Sequence, residues 1–278
     1  LANELRHILT QAANFNFNTS DKETQAPLLI EGIIEAIEKF AADVSHELKN
    51  PLTSLRSAVE TLPLAKTEES KQRLHDVIQH DGRRLARLIT DISDASRLDA
   101  ALARDKAELV NFAQVVEQIV SMSREPKGNQ SAHKIQLSVP AGTSREAYLV
   151  KGHEDRLAQV VINLLENAKS FVDRDAGIVR VDLKRESGVI KLQIADNGPG
   201  ISAEKVDRIF ERFYTDRPAA QGFGQNSGLG LSISRQIIEA HGGTITARNR
   251  EGQETGAIFE IRLPAAAKRR SPRKQKSE

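Results

Sequence analysis

His46, Glu47, Asn50 and Pro51 crowd together in the stretch AADVSHELKNPLT. An imidazole is both a nucleophile and a proton carrier near neutral pH. A carboxylate beside it, here Glu47, can take a hydrogen bond from one ring nitrogen, fixing the tautomer and making the other nitrogen a better nucleophile. Asn50 follows His46 by one helical turn, so its amide projects from the same face as the ring. Pro51 has no backbone N–H to offer the carbonyl of Glu47, which predicts a bend or loosened turn at the histidine. Val44 and Leu48 belong to an apolar stripe, and His46, two positions from each, lies about 160–200° around the helix from it. The ring is therefore expected in solvent. A surface histidine without a role has the same exposure, and only the neighbours separate the two readings.

A second group of candidates lies further along. In DRLAQVVINLLENAKSF, Asn163 and Asn167 sit one turn apart, opposite an apolar stripe of Leu157, Val161, Leu164, Leu165 and Ala168. Neutral amides suit a site where phosphates and Mg²⁺ already carry the charge, although asparagines on a surface helix equally bridge loops. IADNGPGIS ends an apolar strand in Asp196, and its carboxylate can accept a hydrogen bond from an exocyclic amine. Gly198 and Gly200 then turn the chain sharply or let a ligand approach; the bland alternative is an ordinary Asn-Gly turn. GFGQNSGLGLSISRQI runs a glycine-rich loop into a helix, whose first N–H groups bind phosphate well. The stretch 211–227 before that helix holds Arg212, Arg217, Gly222 and Gly224 with little periodicity, the pattern of a mobile lid. No Gly-Lys-Ser/Thr follows, so this is not a Walker A loop, and the strand-first dinucleotide spacing is absent as well.

The elements that must position these residues follow from hydrophobic periodicity. Leu29, Ile33, Ile37, Phe40, Val44, Leu48, Leu52, Leu55, Val59 and Leu62 recur at spacings of three and four, and Pro63 ends the run. Leu74, Val77, Ile78, Leu85, Leu88, Ile92 and Ala95 mark a second helix reaching about Leu102. Two long helices joined by a short loop make an antiparallel hairpin that cannot bury its stripe alone. A homodimer completing a four-helix bundle is expected. After residue 107, KIQLSV, AYLVKGH, IVRVDLKRE, VIKLQIAD, GTITARNR and AIFEIRLP read as strands. Helices over 112–124, 155–171 and 228–241 lie between them, which predicts an α/β sandwich covered on one face.

Composition narrows the classes further. The chain has 278 residues, a formal net charge of +2 and no cysteine. Disulfides, cysteine-ligated zinc and thiol catalysis are excluded, and nothing in the charge balance demands nucleic acid. No apolar run approaches the roughly 20 residues that span a bilayer, and no signal peptide is evident.

Taken in order, these pieces resemble the bacterial sensor histidine kinases of two-component systems. HELKNPLT resembles the H-box, NLLENAKSF the N-box, DNGPG the first glycine box, IFERFY the F-box, and SGLGLSI with HGGTI the later glycine boxes. The match runs over about residues 30–264, and the wording around HELKNPLT is similar to the alphaproteobacterial ChvG/ExoS type. The resemblance implies a helical dimerisation and phosphotransfer hairpin followed by an ATP-binding domain of the GHKL (Bergerat) type. It implies domain limits of 28–104 and 108–264, with a connector over 1–27 and a basic tail over 265–278. His46 is then the phosphoacceptor, Glu47 orients it and takes its proton, and Asn50 positions water for dephosphorylating the regulator. Asn167 ligates Mg²⁺ and Asn163 sits near the phosphates. Asp196 reads the adenine amine, and Gly198, Gly200, Ser227, Gly228, Leu229 and Gly230 shape the ATP pocket. The implied partners are a second copy of the chain and the receiver domain of a response regulator, with no nucleic acid. The implied setting is the cytoplasmic part of an inner-membrane sensor.

Two departures stand out. The basic residue expected three positions after Asn167 is Ser170, with Lys169 one place early, so the phosphate contact is expected either from Lys169 by a different path or from the lid. The aromatic that follows is Phe171, lacking a hydroxyl. Other GHKL ATPases, of the Hsp90 and MutL types, share the glycines but carry no hairpin with His-Glu-x-x-Asn-Pro. A nucleotide-binding scaffold without turnover is the third reading, opposed by the intact Asn167 and Asp196.

Overall fold

The computed structural model describes residues 22–104, 106–124, 134–140, 145–173, 176–214, 228–251 and 255–266. Two compact units emerge. One takes the described residues up to Asp99 together with those between Arg212 and Leu229, and the other takes the remainder.

The first unit is built on two long helices, α1 (Lys22–Thr61) and α2 (Glu68–Arg104, crossing the unit boundary near its end). A short 3-10 turn at Leu62–Leu64, which includes Pro63, joins them. Thr67 starts α2, accepting the Ser70 N–H at 3.2 Å, and Glu68 and Glu69 follow where negative charge favours a helix N-terminus. α1 begins earlier than expected, inside the segment read as a polar connector. Lys22, Glu23, Gln25 and Ala26 are good helix formers, and Pro27 deletes only its own bond to the carbonyl one turn back.

α1 also passes through Pro51 as unbroken helix, so the loosened turn expected at His46 does not interrupt it. Pro51 is itself buried. Among the buried and half-buried positions are Val44, Leu48, Pro51, Leu55 and Ala58 of α1 with Leu62 just beyond its end, and Leu74, Ile78, Asp81, Leu85, Leu88 and Ile92 of α2. Both sets step by four and three, the spacing of a coiled-coil seam. Leu52 and Val59, expected in that seam, are instead about half exposed, at 50% and 54%. They lie on a flank of α1, and Pro51 and Ala58 take the places facing α2. Phe213, from the distal part of this unit, brings its ring centroid 6.1 Å from that of Phe40.

The second unit holds a five-stranded sheet in the order β2-β4-β5-β7-β6. These strands are β2 (Lys134–Ser138), β4 (Ile178–Glu186), β5 (Val189–Asp196), β6 (Thr244–Asn249) and β7 (Ala257–Pro264). β2 runs parallel to β4, and the other pairs are antiparallel. Ser187 and Gly188, both at positive φ, make the tight β4–β5 turn. A separate ribbon pairs β1 (Glu108–Asn111) with β3 (Leu149–Gly152). The sequence reading missed β1, because Glu108–Asn111 has no period-2 alternation to mark it.

Three helices pack on the sheet: α3 (Phe112–Arg124), α4 (Glu154–Phe171) and α5 (Gly230–Ala240). The α3 stripe of Phe112, Val116 and Val120, the α4 stripe of Leu157, Val161 and Leu164, and Ile237 of α5 are fully buried, as are Val181, Leu183, Leu192 and Ile194 of the sheet. The expected sandwich is present, with α5 starting at Gly230 and not at 228. Among the described residues no helix is long and apolar enough to cross a membrane.

Candidate functional site

The phosphoacceptor candidate belongs to the first unit. His46 and Asn50 are exposed on α1, while Val44 and Leu48 turn inward, as the 100° rotation per residue requires. Glu47 departs from expectation. Its carboxylate Oε2 accepts from Nη2 of Arg84 on α2 at 2.9 Å, and no hydrogen bond joins it to His46 among the described residues. Adjacent helical residues do not face one another, so Glu47 points towards the hairpin flank when His46 points to solvent. Beneath this pair the seam position Asp81 is buried, its Oδ1 3.1 Å from Nδ1 of His80. Nothing in the hydrophobic pattern signals Arg84; the gap in the apolar stripe at 81 is the one visible trace of these buried charges.

The nucleotide-site candidates of the second unit gather around the ends of α4 and β5. Asp196 ends β5 and is 3% exposed. Its Oδ1 accepts the N–H of Gly198 at 2.9 Å and of Ala257 at 3.1 Å, while Oδ2 takes no hydrogen bond from a described residue. Burial pushes this carboxyl above the usual aspartate range, opposed by those two N–H groups and by Arg250. A Cβ on Gly198 would lie 2.7 Å from the carbonyl of Phe171, and one on Gly256 would lie 2.0 Å from the carbonyl of Asp196. Both positions need glycine because two chain segments close on them. Asn197, by contrast, serves the fold: its Oδ1 accepts the Ile178 N–H at 2.7 Å and its amide donates to Ala176.

The loop after Gly200 is clamped from outside. Asn249, at the end of β6, accepts the Ile201 N–H at 2.7 Å and donates to the Ile201 carbonyl at 2.6 Å. The sequence reading passed over Asn249, Gly256 and Ala257 because a β6–β7 loop shows no chemistry until the sheet brings it beside Asp196.

Asn163 and Asn167 share a half-buried face of α4. Asn163 ties α4 to α5, its Nδ2 donating to the Gly230 carbonyl at 3.2 Å. Asn167 gives its backbone carbonyl to the Ser170 hydroxyl, and its side-chain amide bonds no described residue. Lys169 pairs with Glu166 at 2.6 Å, and Phe171 is half-buried. Gly228, in the first unit, rests against the backbone of Phe213, and Leu229 is fully buried. Ser227 and the rest of 215–227, most of the lid expected over 211–227, lie outside the described residues.

At the start of α4, His241 holds the chain by both ring nitrogens. Nδ1 lies 2.7 Å from the Ile237 carbonyl and Nε2 accepts the His153 N–H at 3.1 Å, so the ring is the neutral tautomer protonated at Nδ1.

Two family models match: the His Kinase A (phospho-acceptor) domain over residues 36–101, and the histidine kinase-, DNA gyrase B- and HSP90-like ATPase over residues 152–267. The chain belongs to the sensor histidine kinases. The phospho-acceptor match sets it apart from the other ATPases that share this nucleotide fold. The chain is 57% identical to the sensor protein ChvG of Agrobacterium fabrum over 237 residues, 84% of this chain and 40% of that protein. It is 58% identical to the ChvG of Rhizobium meliloti over 236 residues, 84% of this chain and 41% of that one. It therefore spans about two-fifths of the length of these curated relatives. A solved structure of the histidine kinase ThkA in complex with the response regulator protein TrrA matches with a TM-score of 0.65 and 21% identity. That match covers 90% of this chain and 68% of the other, and shows the fold.

Proposed function

We propose that the chain phosphorylates its own His46 from ATP, passes the phosphoryl group to an aspartate in the receiver domain of a response regulator, and dephosphorylates that regulator. The observation that carries this reading is the exposed imidazole of His46 on the outer face of a helical hairpin, in a chain whose other unit has the histidine-kinase ATPase fold. A nitrogen of His46 attacks the γ-phosphorus, the bond to the bridging oxygen breaks, and ADP leaves. The ring proton passes to the Glu47 carboxylate, which must turn from Arg84 to receive it. Asn50, exposed one turn on, positions the water that later hydrolyses the regulator's acyl phosphate.

On the nucleotide side, Asp196 offers Oδ2 to the adenine amine while Oδ1 stays tied to the backbone. The residues present suit Mg²⁺ as well, since the side-chain amide of Asn167 bonds no described residue and is a neutral oxygen donor. Bound Mg²⁺ neutralises phosphate charge. Asn163 and Gly230 fix the start of α5 at the phosphate end, and Lys169 contacts phosphate by leaving Glu166. Phe171, Gly198 and Gly200 line or shape the pocket. The working unit is a homodimer with limits near 28–104 and 108–264. We place it as the cytoplasmic part of an inner-membrane sensor, in keeping with the sensor proteins it is similar to.

The test uses γ-labelled ATP with Mg²⁺. Label on the parent chain is expected to be acid-labile and base-stable, as a phosphoramidate is, and His46→Gln is expected to carry none. A His46→Gln chain that labels like the parent removes His46 as the nucleophile.

A further inference from the structure

Glu47 has two claimants. Its proposed work is at His46, its immediate neighbour, yet its carboxylate is held across the hairpin by Arg84 at 2.9 Å. The pair is well shielded, with 21% of the Glu47 side chain and 11% of the Arg84 side chain exposed. It lies beside the seam, next to half-buried Leu48 and Leu85, where salt screens poorly and the attraction outlasts that of a surface pair. The grip is also incomplete. A guanidinium can hold a carboxylate by two parallel bonds, but here only Nη2 engages, and the Arg84 Nε is buried with no hydrogen-bond partner. A second carboxylate stands on the same face of α2, at Asp81, three residues earlier and buried. Arg84 thus has somewhere to turn when Glu47 leaves, and no charge is stranded in the seam.

We propose that Arg84 is a positioning residue that holds the Glu47 carboxylate off His46, so that autophosphorylation requires this cross-hairpin ion pair to open. The inference rests on the reading of Glu47 as the group that orients the imidazole and takes its proton. It adds a gate to that reading. Glu47 is turned across the hairpin to Arg84 while His46 is turned to solvent, so the carboxylate reaches the imidazole only by leaving Arg84, and the fraction of chains with Glu47 free sets the fraction with a prepared imidazole. Arg84 acts through Glu47, which it holds, so its effect belongs in kcat, with KM for ATP unmoved.

The experiment measures initial rates of His46 phosphorylation against ATP concentration in the full chain. The parent is compared with Arg84→Gln, Arg84→Lys, Glu47→Gln and the double variant Glu47→Gln/Arg84→Gln. Arg84→Gln is expected to raise kcat about five-fold, the shift that loss of a part-exposed ion pair allows. Arg84→Lys keeps the charge without the fork and is expected between the parent and Arg84→Gln. Glu47→Gln is expected to lower kcat about a hundredfold, as loss of a proton acceptor does. The double variant is expected to match Glu47→Gln alone, because a gate has nothing left to hold.

If Glu47→Gln falls while Arg84→Gln is at or below the parent, the gate is overturned and the role of Glu47 survives. If Glu47→Gln equals the parent, the role of Glu47 itself fails. A double variant that stays as fast as Arg84→Gln also overturns the gate, since Arg84 would then act by another route. Should Arg84→Gln lose its helical circular dichroism signal, Arg84→Lys decides: a rate above the parent supports the gate, and one at or below it does not.

Discussion

Asn249 commits both ends of one amide to one residue, bonding the N–H and the carbonyl of Ile201. It has no charge and no part in the reaction, yet it fixes the loop that begins at Asp196. Two neutral hydrogen bonds contribute about 1 kcal/mol each, so Asn249→Ala is expected to weaken ATP binding about tenfold. Isothermal titration with a non-hydrolysable ATP analogue measures this, and parent-like affinity would show that the loop holds its shape without the clamp. The residue scale is also where the sequence is least legible. His46, Asn50 and Asp196 stand out because their neighbours are informative. Arg84, Asn249 and Gly256 do not, because each acts on a residue far away in sequence. Glu47 was legible in type but not in direction: its neighbour in sequence is His46, and its partner in space is Arg84.

Among the elements, α4 depends on a histidine it does not contain. His241, just after α5, receives the His153 N–H at the start of α4 through Nε2, and its ring packs so closely that a Cβ on Gly152 would lie 2.2 Å from Cδ2. Burial holds its pKa below the ordinary histidine value of 6.5; the Ile237 carbonyl opposes this and His153 adds to it. The unfolded chain therefore binds the proton more readily than the folded one. Stability from this group is full above the unfolded value and is lost as pH falls through it towards the folded value. Protonation would set an N–H against the His153 N–H that Nε2 now accepts. Thermal melts are expected to show a lower Tm at about pH 5 than at about pH 7.5, with a smaller difference in His241→Gln. An unchanged pH difference in the variant would assign the effect to other groups. Periodicity placed most strands and helices of this unit, because alternating and three-four patterns survive wherever one face is buried. It missed β1, whose short run has no alternation, and it began α1 only after Pro27, where the helix starts at Lys22.

At the scale of the whole molecule, the hairpin leaves apolar surface that its own fold does not cover. Ile34, Ile37, Leu52 and Val59 on α1 and Val77 and Ile89 on α2 are exposed. Exposed apolar positions along two helices whose other stripe is already satisfied fit the proposed second copy. Leu52→Glu with Val59→Glu is expected to raise the dimer dissociation constant about a hundredfold or more, with two charges forced into an apolar contact. Analytical ultracentrifugation reads the result. A double variant that sediments as the parent does would place the dimer contact elsewhere.

The unbroken course of α1 has a mechanical consequence. From Lys22 to Thr61 it is one rod of 40 residues, and His46 sits roughly 36 Å from its first residue at the rise of a standard helix. A hinge at Pro27, between Lys22 and His46, would absorb torque applied at the Lys22 end. Without one, a twist there arrives at the imidazole as a change of azimuth and not of height, and swings Glu47 past Arg84 by the same angle, as a crankshaft carries every pin on its length.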